Sequence, residues 1–336
     1  MRTADIFARD DFRTGLISAI TPYAKDYQLP QKIPVLYRYS GFSEYAIANL
    51  LLKRLSLSMI ATFNDCYDST ISFGEIEKLA AQEYEKERLI VTAIGGQPVI
   101  SKEAWKDHIA EELLAYKNFS SDSYCCCFSE TGLSNLMWSH YANNCRGICA
   151  SYDFERIRSN PLYFSLFPVA YSSVPVGIYD HIHNRRGSLS VEIGVVASAI
   201  NKSSCWSYEQ EWRLIVLNEQ LGKPNSKKYI SFSDLISAQS VLLGQRFLDN
   251  FIDDLNNQST NKMLQHLKAF ADAQNLHKFQ VHQVIPQHNT FEQAISAPLS
   301  LERVYRFVFE LYQNHELTMA NRNLAYWSFA EEFLNR

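Results

Sequence analysis

With 336 residues, of which 46% are hydrophobic and 20% charged, the chain has the composition of one large or two ordinary folded domains, which excludes a disordered protein. The formal net charge of −4 disfavours a general attraction to nucleic acid, although a local basic patch stays open. No apolar run reaches the roughly 18–20 residues that span a bilayer, and the first residues lack the apolar core of a signal peptide.

Cysteine usage points to a reducing compartment. The chain has seven cysteines, an odd number, and no CxxC pair, so neither a zinc ribbon nor a disulfide framework is indicated. We therefore expect a cytoplasmic protein without a membrane partner, although an effector delivered into a host cell has the same appearance. The adjacent residues Cys125–Cys127 are typical of an apolar strand, and a Cys–His pair with His140 stays open.

The first third of the chain alternates helical and strand patterns. Residues 1–30 predict a short helical arm that ends at Pro30. IPVLYRYS (33–40) predicts a strand, and the apolar spacing over residues 42–59 predicts an amphipathic helix followed by a second short strand. The charge-studded residues 74–117 predict an inserted helical section.

Short strands and helices continue to the C-terminus. Strand patterns occupy residues 123–130, 146–153 and 164–173, with a helix before the second of them and another over residues 191–202. The segments KKYISF, SVLLGQRF and KFQVHQVI predict three further strands, and the aromatic tail from Pro298 onward is helical.

Strands interleaved with helices, without a regular βαβ period, indicate an α+β fold with a mixed, mainly antiparallel sheet and flanking helices. We predict a helical arm over residues 1–30, an α+β core domain over 31–290 with a helical insertion at about 74–117, and a helical C-terminal extension over 291–336.

The segment CWSYEQEWRLIV (205–216) contains the strongest candidate site. If it is a strand, Glu209, Glu211 and Arg213 share one face, with the two carboxylates roughly 6–7 Å apart. Such a pair suits general base catalysis or stabilisation of an oxocarbenium-like transition state. An exposed strand face whose charges pair with neighbours gives the same pattern.

Arg38 interrupts an otherwise apolar strand, so its charge needs a partner. Glu209 or Glu211 would make a structural ion pair with it, and the phosphates of a ligand would serve equally well.

Two other polar segments are weaker candidates. FNDCYD (63–68) has the composition of a turn that lines a cleft, and we expect no metal site there. His140 follows Trp138 on a predicted helix, as a structural histidine or a general base. DHIHNRR (180–186) reads as a solvated basic loop.

Several of these segments together resemble a prokaryotic family known only as a domain of unknown function. The resemblance rests on LYRYS, FNDCYD, CFSE, LMWSHYANNCRGICASYD, KSSCWSYEQEWRL and SVLLGQRF, in that order, and covers about residues 33–250. One departure is Cys66, where the family usually has proline.

An arginine on an early strand and an ExE before a late one also resemble the mono-ADP-ribosyltransferases. That resemblance implies a split sheet that binds NAD in a central cleft, with Arg38 orienting the NAD, Glu211 on the nicotinamide ribose and Glu209 acting on the acceptor. The Ser-Thr-Ser motif of that family is not clearly present; Ser129 and the segment Tyr171–Ser173 are the nearest equivalents. The cofactor-binding candidates are Arg38, Tyr37, Tyr39, Ser129, His140, Ser172 and Tyr208.

The leading hypothesis is therefore an NAD-dependent ADP-ribosyltransferase-like toxin, effector or defence protein that modifies a protein or nucleic acid. One alternative is a metal-dependent nuclease or nucleotide hydrolase using His140, Asp65, Asp68 and a glutamate. The other is a non-enzymatic interaction module, in which the aromatic tail (299–336) contacts a partner and Arg38 forms an ion-pair network with the ExE.

Overall fold

The protein is built on one large sheet with helices on both faces. The structure, a computed structural model, describes residues 3–63, 76–97, 100–121, 123–177, 189–217, 229–231, 236–252, 257–287 and 289–334. The strands are β1 Val35–Ser40, β2 Arg54–Ser56, β3 Ser58–Met59, β4 Ser123–Ser129, β5 Ile148–Asp153, β6 Leu166–Pro168, β7 Ala170–Ser172, β8 Asn201–Ser203, β9 Glu211–Leu217, β10 Tyr229–Ser231, β11 Ser240–Leu243, β12 Gln280–Pro286 and β13 Gln293–Ile295.

Helices flank the sheet, and the last two described elements of the chain are helices. The α-helices are α1 Thr3–Phe7, α2 Asp10–Ile20, α3 Glu44–Leu51, α4 Ile76–Ala93, α5 Lys102–Ser121, α6 Asn135–Tyr141, α7 Ser190–Ala199, α8 Asn257–His277, α9 Leu301–Gln313 and α10 Arg322–Phe333. Within the described ranges, no helix is both long and apolar enough to cross a membrane.

The sheet confirms the predicted α+β class. Nine strands take part in the described sheet, in the order β13-β12-β11-β5-β1-β4-β9-β6, with β3 also paired to β4. The β11–β12 pair is parallel and the other pairs in this sheet are antiparallel, so the sheet is mixed and mainly antiparallel.

The sheet is split between β1 and β4. β1 pairs with β5 along its whole length, and β4 pairs with β9 at every residue from Ser123 to Ser129. In contrast, the register between the described residues of β1 and β4 is the single pair Tyr37 and Ser129. Two well-formed half-sheets therefore meet at one residue pair and diverge from it.

Both faces of the central strands are buried, which explains the continuous apolar run of β4. Cys126 and Phe128 belong to the larger core, formed with α3, α8 and the C-terminal helices, whereas Cys125 belongs to a second core formed with α1, α2 and α7. Free cysteine is small and apolar, and a strand covered on both faces favours such residues at successive positions. The cysteines in this strand are free.

The segments outside the sheet pack in different ways. Phe7 and Phe12 of α1 and α2 are fully buried and contact the ring of Phe167. α4 and α5 pair through a small core of their own around Ala80 and Ile109. In the C-terminal segment, the buried residues of α9 and α10 join the larger core.

Two predicted boundaries were wrong. The helix predicted over 42–59 ends at Leu51, because Lys53 has a positive φ of 45° and the chain turns into β2. The strand predicted over 164–173 is two short strands, since β6 pairs with β9 and β7 pairs with β8. Between them, the Val169 N–H donates to the Glu211 carbonyl.

A compact left-handed turn joins α6 to β5. Asn143, Asn144 and Cys145 all have positive φ, between 48° and 65°, a conformation that asparagine tolerates better than most residues. The following Gly147 lies so close to the end of β1 that an added Cβ would lie 2.1 Å from the Ser40 carbonyl oxygen. This turn fixes where α6 ends, and with it the position of Tyr141.

Gly147→Ala is expected to destabilise the protein by about 1–3 kcal/mol, the usual cost of overpacking, since the atoms it meets are backbone. Gly41→Ala is the matched control, because its nearest contact is the Asn143 Cβ at 3.7 Å. Urea denaturation of both variants measures the difference, and equal unfolding free energies would contradict the close approach.

Candidate functional site

A cavity of about 240 Å³ opens where the two half-sheets diverge. Its lining includes Tyr37, Arg38 and Tyr39 from β1, residues 125–129 from β4, and Tyr141 from α6. Lys202, Glu209, Glu211 and Arg213 complete its charged wall. The volume lies just below the ~300–1,000 Å³ typical of small-molecule sites, so the cavity suits part of a larger ligand.

The structure corrects the expected geometry of the ExE. Glu209 is not on a strand: it ends a 3₁₀ helix over Ser204–Glu209, and Gln210 follows in the left-handed conformation with φ of 45°. β9 begins only at Glu211. Glu211 and Arg213 do share a face of β9, as predicted, and both glutamates line the same cavity.

Four buried charges form a charge cluster of Lys202, Glu209, Glu211 and Arg213. Their exposed fractions are 6%, 2%, 5% and 0%. The Lys202 ammonium lies 2.6 Å from Glu209 Oε2 and 2.9 Å from Glu211 Oε2, so one cation bridges both carboxylates. Arg213 holds Glu211 with two bonds, from Nε to Oε1 at 2.8 Å and from Nη2 to Oε2 at 3.0 Å.

Neighbouring groups satisfy the remaining atoms of the cluster. The Tyr141 hydroxyl donates to Glu209 Oε1 at 2.6 Å, and the Ser129 hydroxyl donates to the Glu209 carbonyl at the same distance. The Glu211 N–H donates to the Tyr171 hydroxyl at 2.8 Å. These bonds fix the cluster to β4, α6 and β7.

The two carboxyl groups have opposite pKa shifts. Burial raises the pKa of Glu209, and its bonds to Lys202 and Tyr141 offset this only in part. Burial also works against the charge of Glu211, but the adjacent Arg213 and Lys202 outweigh it and lower the pKa of Glu211 to about 2. Glu211 is therefore ionised at neutral pH, while Glu209 takes up a proton at a higher pH than an ordinary glutamate does.

Arg38 is not an ion-pair partner of the glutamates, contrary to one of the sequence-based interpretations. Its Nη2 donates to the carbonyl and to the hydroxyl of Ser56, at 3.0 and 2.9 Å. Among the described residues it makes no salt bridge. Its positive charge therefore remains available to a ligand.

The register places Arg38 and Glu211 on opposite faces of the sheet. Tyr37 pairs with Ser129, and Ser129 pairs with Glu211, so these three share a face and Arg38 points to the other. β1 and β9 lie on either side of β4, so two strand spacings of ~4.8 Å, about 10 Å in all, separate them. The cavity reaches both residues because the sheet is open at this point.

The other predicted site residues are divided between the cavity and its surroundings. Tyr37, Tyr39 and Ser129 line the cavity, whereas Ser172, His140 and Tyr208 are not among its lining residues. The Ser172 hydroxyl closes a local turn, donating to the Val174 carbonyl and accepting from the Val174 N–H.

The described residues do not bring together the side chains that were candidates for a metal-dependent site. His140 is exposed, and Asn64, Asp65 and Asp68 fall outside the described ranges, as do His181 and His183. Across the described part of the chain, no group of three or more His, Cys, Asp or Glu side chains is placed to hold a metal ion.

Sequence reasoning missed Lys202, which bridges the two glutamates. It was assigned to the end of a helix, but that helix ends at Ala199 and Lys202 lies on β8, beside the cavity. One sequence feature indicated this role: Lys202 lies seven residues before Glu209, close to two carboxylates that need a cation.

Lys202→Met is expected to destabilise the protein by about 3–5 kcal/mol, because it leaves two buried carboxylates short of a cation. Lys268→Met is the matched control: it breaks half-exposed ion pairs with Asp272 and Glu302, for a cost of about 1 kcal/mol or less. Urea denaturation compares the two. Adding Glu209→Gln to Lys202→Met should recover part of the loss, and equal stability of the two lysine variants would contradict the bridging role.

Among the comparisons with known proteins, one family match is found, over one segment of the chain. No curated protein and no solved structure matches the chain. Residues 137–214, which run from α6 to the middle of β9 and include Tyr141 and the charge cluster, match the family described as "Protein of unknown function (DUF2971)".

Proposed function

We propose that the cavity binds NAD and that the protein is an ADP-ribosyltransferase acting on a macromolecular acceptor. The observation that carries this proposal is the pair of buried carboxyl groups with opposite pKa shifts, in one cavity with an arginine that lacks a carboxylate partner among the described residues.

The opposite pKa shifts match two chemical roles. When nicotinamide leaves NAD, positive charge develops on the ribosyl carbon, and the fixed negative charge of Glu211 stabilises it without reorganisation. Glu209 then accepts the proton of the attacking acceptor group as a general base. The C1′–nicotinamide bond breaks, a C1′–acceptor bond forms, and the released proton goes to Glu209.

The rest of the lining suits the other parts of NAD. The guanidinium of Arg38 is a good partner for the diphosphate, since two of its nitrogens make no hydrogen bond to the described residues. Tyr37 and Tyr39, on the same strand, offer aromatic surface to the nicotinamide or to the ribose. The limited cavity volume fits the nicotinamide riboside half, with the remainder of the dinucleotide towards the opening.

Glu211→Gln is expected to reduce consumption of labelled NAD by about 10²–10³-fold, the usual effect of removing one electrostatic contact to a transition state. Glutamine keeps the shape, and a thermal melt reports whether the variant is folded. Glu155→Gln is the matched control, because Glu155 accepts from Tyr163 and from the Ile33 N–H, outside the cavity lining.

A wild-type protein that leaves NAD intact in the presence of lysate would contradict the proposal. So would a folded Glu211→Gln variant with unchanged activity.

The pH dependence tests the role of Glu209. Since burial raises its pKa above the ordinary 4.5, transfer of label to lysate acceptors should rise with pH through a window above pH 4.5. Tyr141→Phe removes a donor that favours the ionised form, so the pKa of Glu209 increases and the window moves to higher pH. Tyr163→Phe, which removes the corresponding bond to Glu155, is the control and should leave the window in place.

A further inference from the structure

Three aromatic side chains next to the cavity form an aromatic arc of His140, Tyr208 and Trp206. The His140 and Tyr208 ring centres lie 6.4 Å apart and the Tyr208 and Trp206 ring centres 6.0 Å apart, with tilts of 35° and 41°. His140 is exposed, and the other two rings are half-buried. The exposed parts of these rings are available for stacking.

Both ends of the arc meet the groups that bind Glu209. The His140 ring lies 6.3 Å from that of Tyr141, whose hydroxyl donates to Glu209 Oε1. At the other end, the Lys202 ammonium lies 5.2 Å from the Trp206 ring and donates to Glu209 Oε2. The arc therefore lies beside the carboxyl that would deprotonate an acceptor.

The geometry suits a flat, neutral group. Two stacking contacts need about 7 Å between rings, twice the ~3.5 Å of a carbon–carbon contact. The His140 and Tyr208 ring centres are 6.4 Å apart and the ring planes are tilted by 35°, so the exposed His140 side chain has to turn before both rings can stack on one base. A planar base held in this way would present its edge towards Glu209.

The charges favour a nucleobase over a guanidinium. Of the described cavity residues, three are cations (Arg38, Lys202, Arg213) and two are carboxylates, so the lining has a net charge of about +1 when all are ionised. An arginine side chain would be repelled by this positive field and by the Lys202 ammonium beside Trp206, whereas a neutral base would not be repelled.

We propose that the aromatic arc is the acceptor subsite and that it stacks on an unpaired base of single-stranded nucleic acid. This inference rests on the proposed ADP-ribosyl transfer. A base inside a duplex is stacked and paired, and flipping it out costs a few kcal/mol, so a single strand is the preferred substrate. Glu209 takes the proton from a ring N–H or an exocyclic amine as that nitrogen bonds to C1′, and neutral nicotinamide leaves.

The binding of single-stranded nucleic acid to the aromatic arc can be measured without NAD. Fluorescence anisotropy with short mixed-sequence single-stranded DNA and RNA should show binding by the full chain, and the two probes distinguish which nucleic acid it prefers. Trp206→Ala and Tyr208→Ala should each weaken binding about ten-fold, the usual loss of one stacked base. Trp327→Ala, a 62% exposed tryptophan on α10, is the matched control and should bind as the wild type does.

The salt dependence of binding is expected to be shallow, because the whole protein carries a net charge of −4 and stacking rather than phosphate contact supplies the affinity. No binding to either single strand would overturn the inference. Equal affinities of wild type and the two arc variants would also overturn it.

A second assay separates this inference from the proposed function. Labelled NAD is supplied with single-stranded oligonucleotides, with a matching duplex, and with an arginine-containing peptide. Label on the single strands only is the expected result. Nicotinamide release with label on the peptide instead would overturn the nucleobase acceptor and leave ADP-ribosyl transfer standing. No nicotinamide release at all would refute the proposed function and the acceptor role with it, while the anisotropy measurement still decides whether the arc binds bases.

Discussion

Two carboxylates and two cations lie together in this protein almost out of contact with water, and that arrangement constrains everything around it. Removing such charges from water costs several kcal/mol for each ion, so each must be matched closely. The Lys202 ammonium pairs with both glutamates, and the Arg213 guanidinium pairs with Glu211 as well. Any function of the site has to operate within this balance, because a change in one charge alters the pKa of its neighbours.

The fold meets this constraint by bringing distant segments together. Lys202 comes from the short strand β8, and Glu211 and Arg213 come from β9, next to the edge strand β6. Tyr141 comes from a helix whose end is fixed by a left-handed turn. Glu209 is held apart from β9 by the left-handed Gln210. One residue of irregular backbone thus gives two neighbouring carboxyl groups different surroundings, and different surroundings separate their pKa values.

The spacing of apolar and polar residues predicted the features of the fold that follow from periodicity. Alternation placed Glu211 and Arg213 on one face, and the mix of strands and helices gave the α+β class. Local pattern failed where tertiary contacts determine the backbone. No periodicity shows that Gln210 is left-handed, or that Lys202 lies on a strand paired with β7 and not on the preceding helix. Arg38 was recognised as needing a partner, but the partner is Ser56, which folding brings near through β2. The ADP-ribosyltransferase interpretation itself remains a prediction.

The single residue pair between β1 and β4 has a further consequence for the sheet. Strand edges normally occur at the periphery of a sheet, where their free N–H and C=O groups invite pairing with other chains. Here a short stretch of such an edge lies inside the protein: residues 126–128 of β4 pair with neither β1 nor β3 on that side, and they line the cavity. The main-chain donors and acceptors of this short stretch are therefore presented to whatever enters the cavity. A ligand held in this way would be recognised by the backbone, so the side chains around it are able to change while the means of holding it persists.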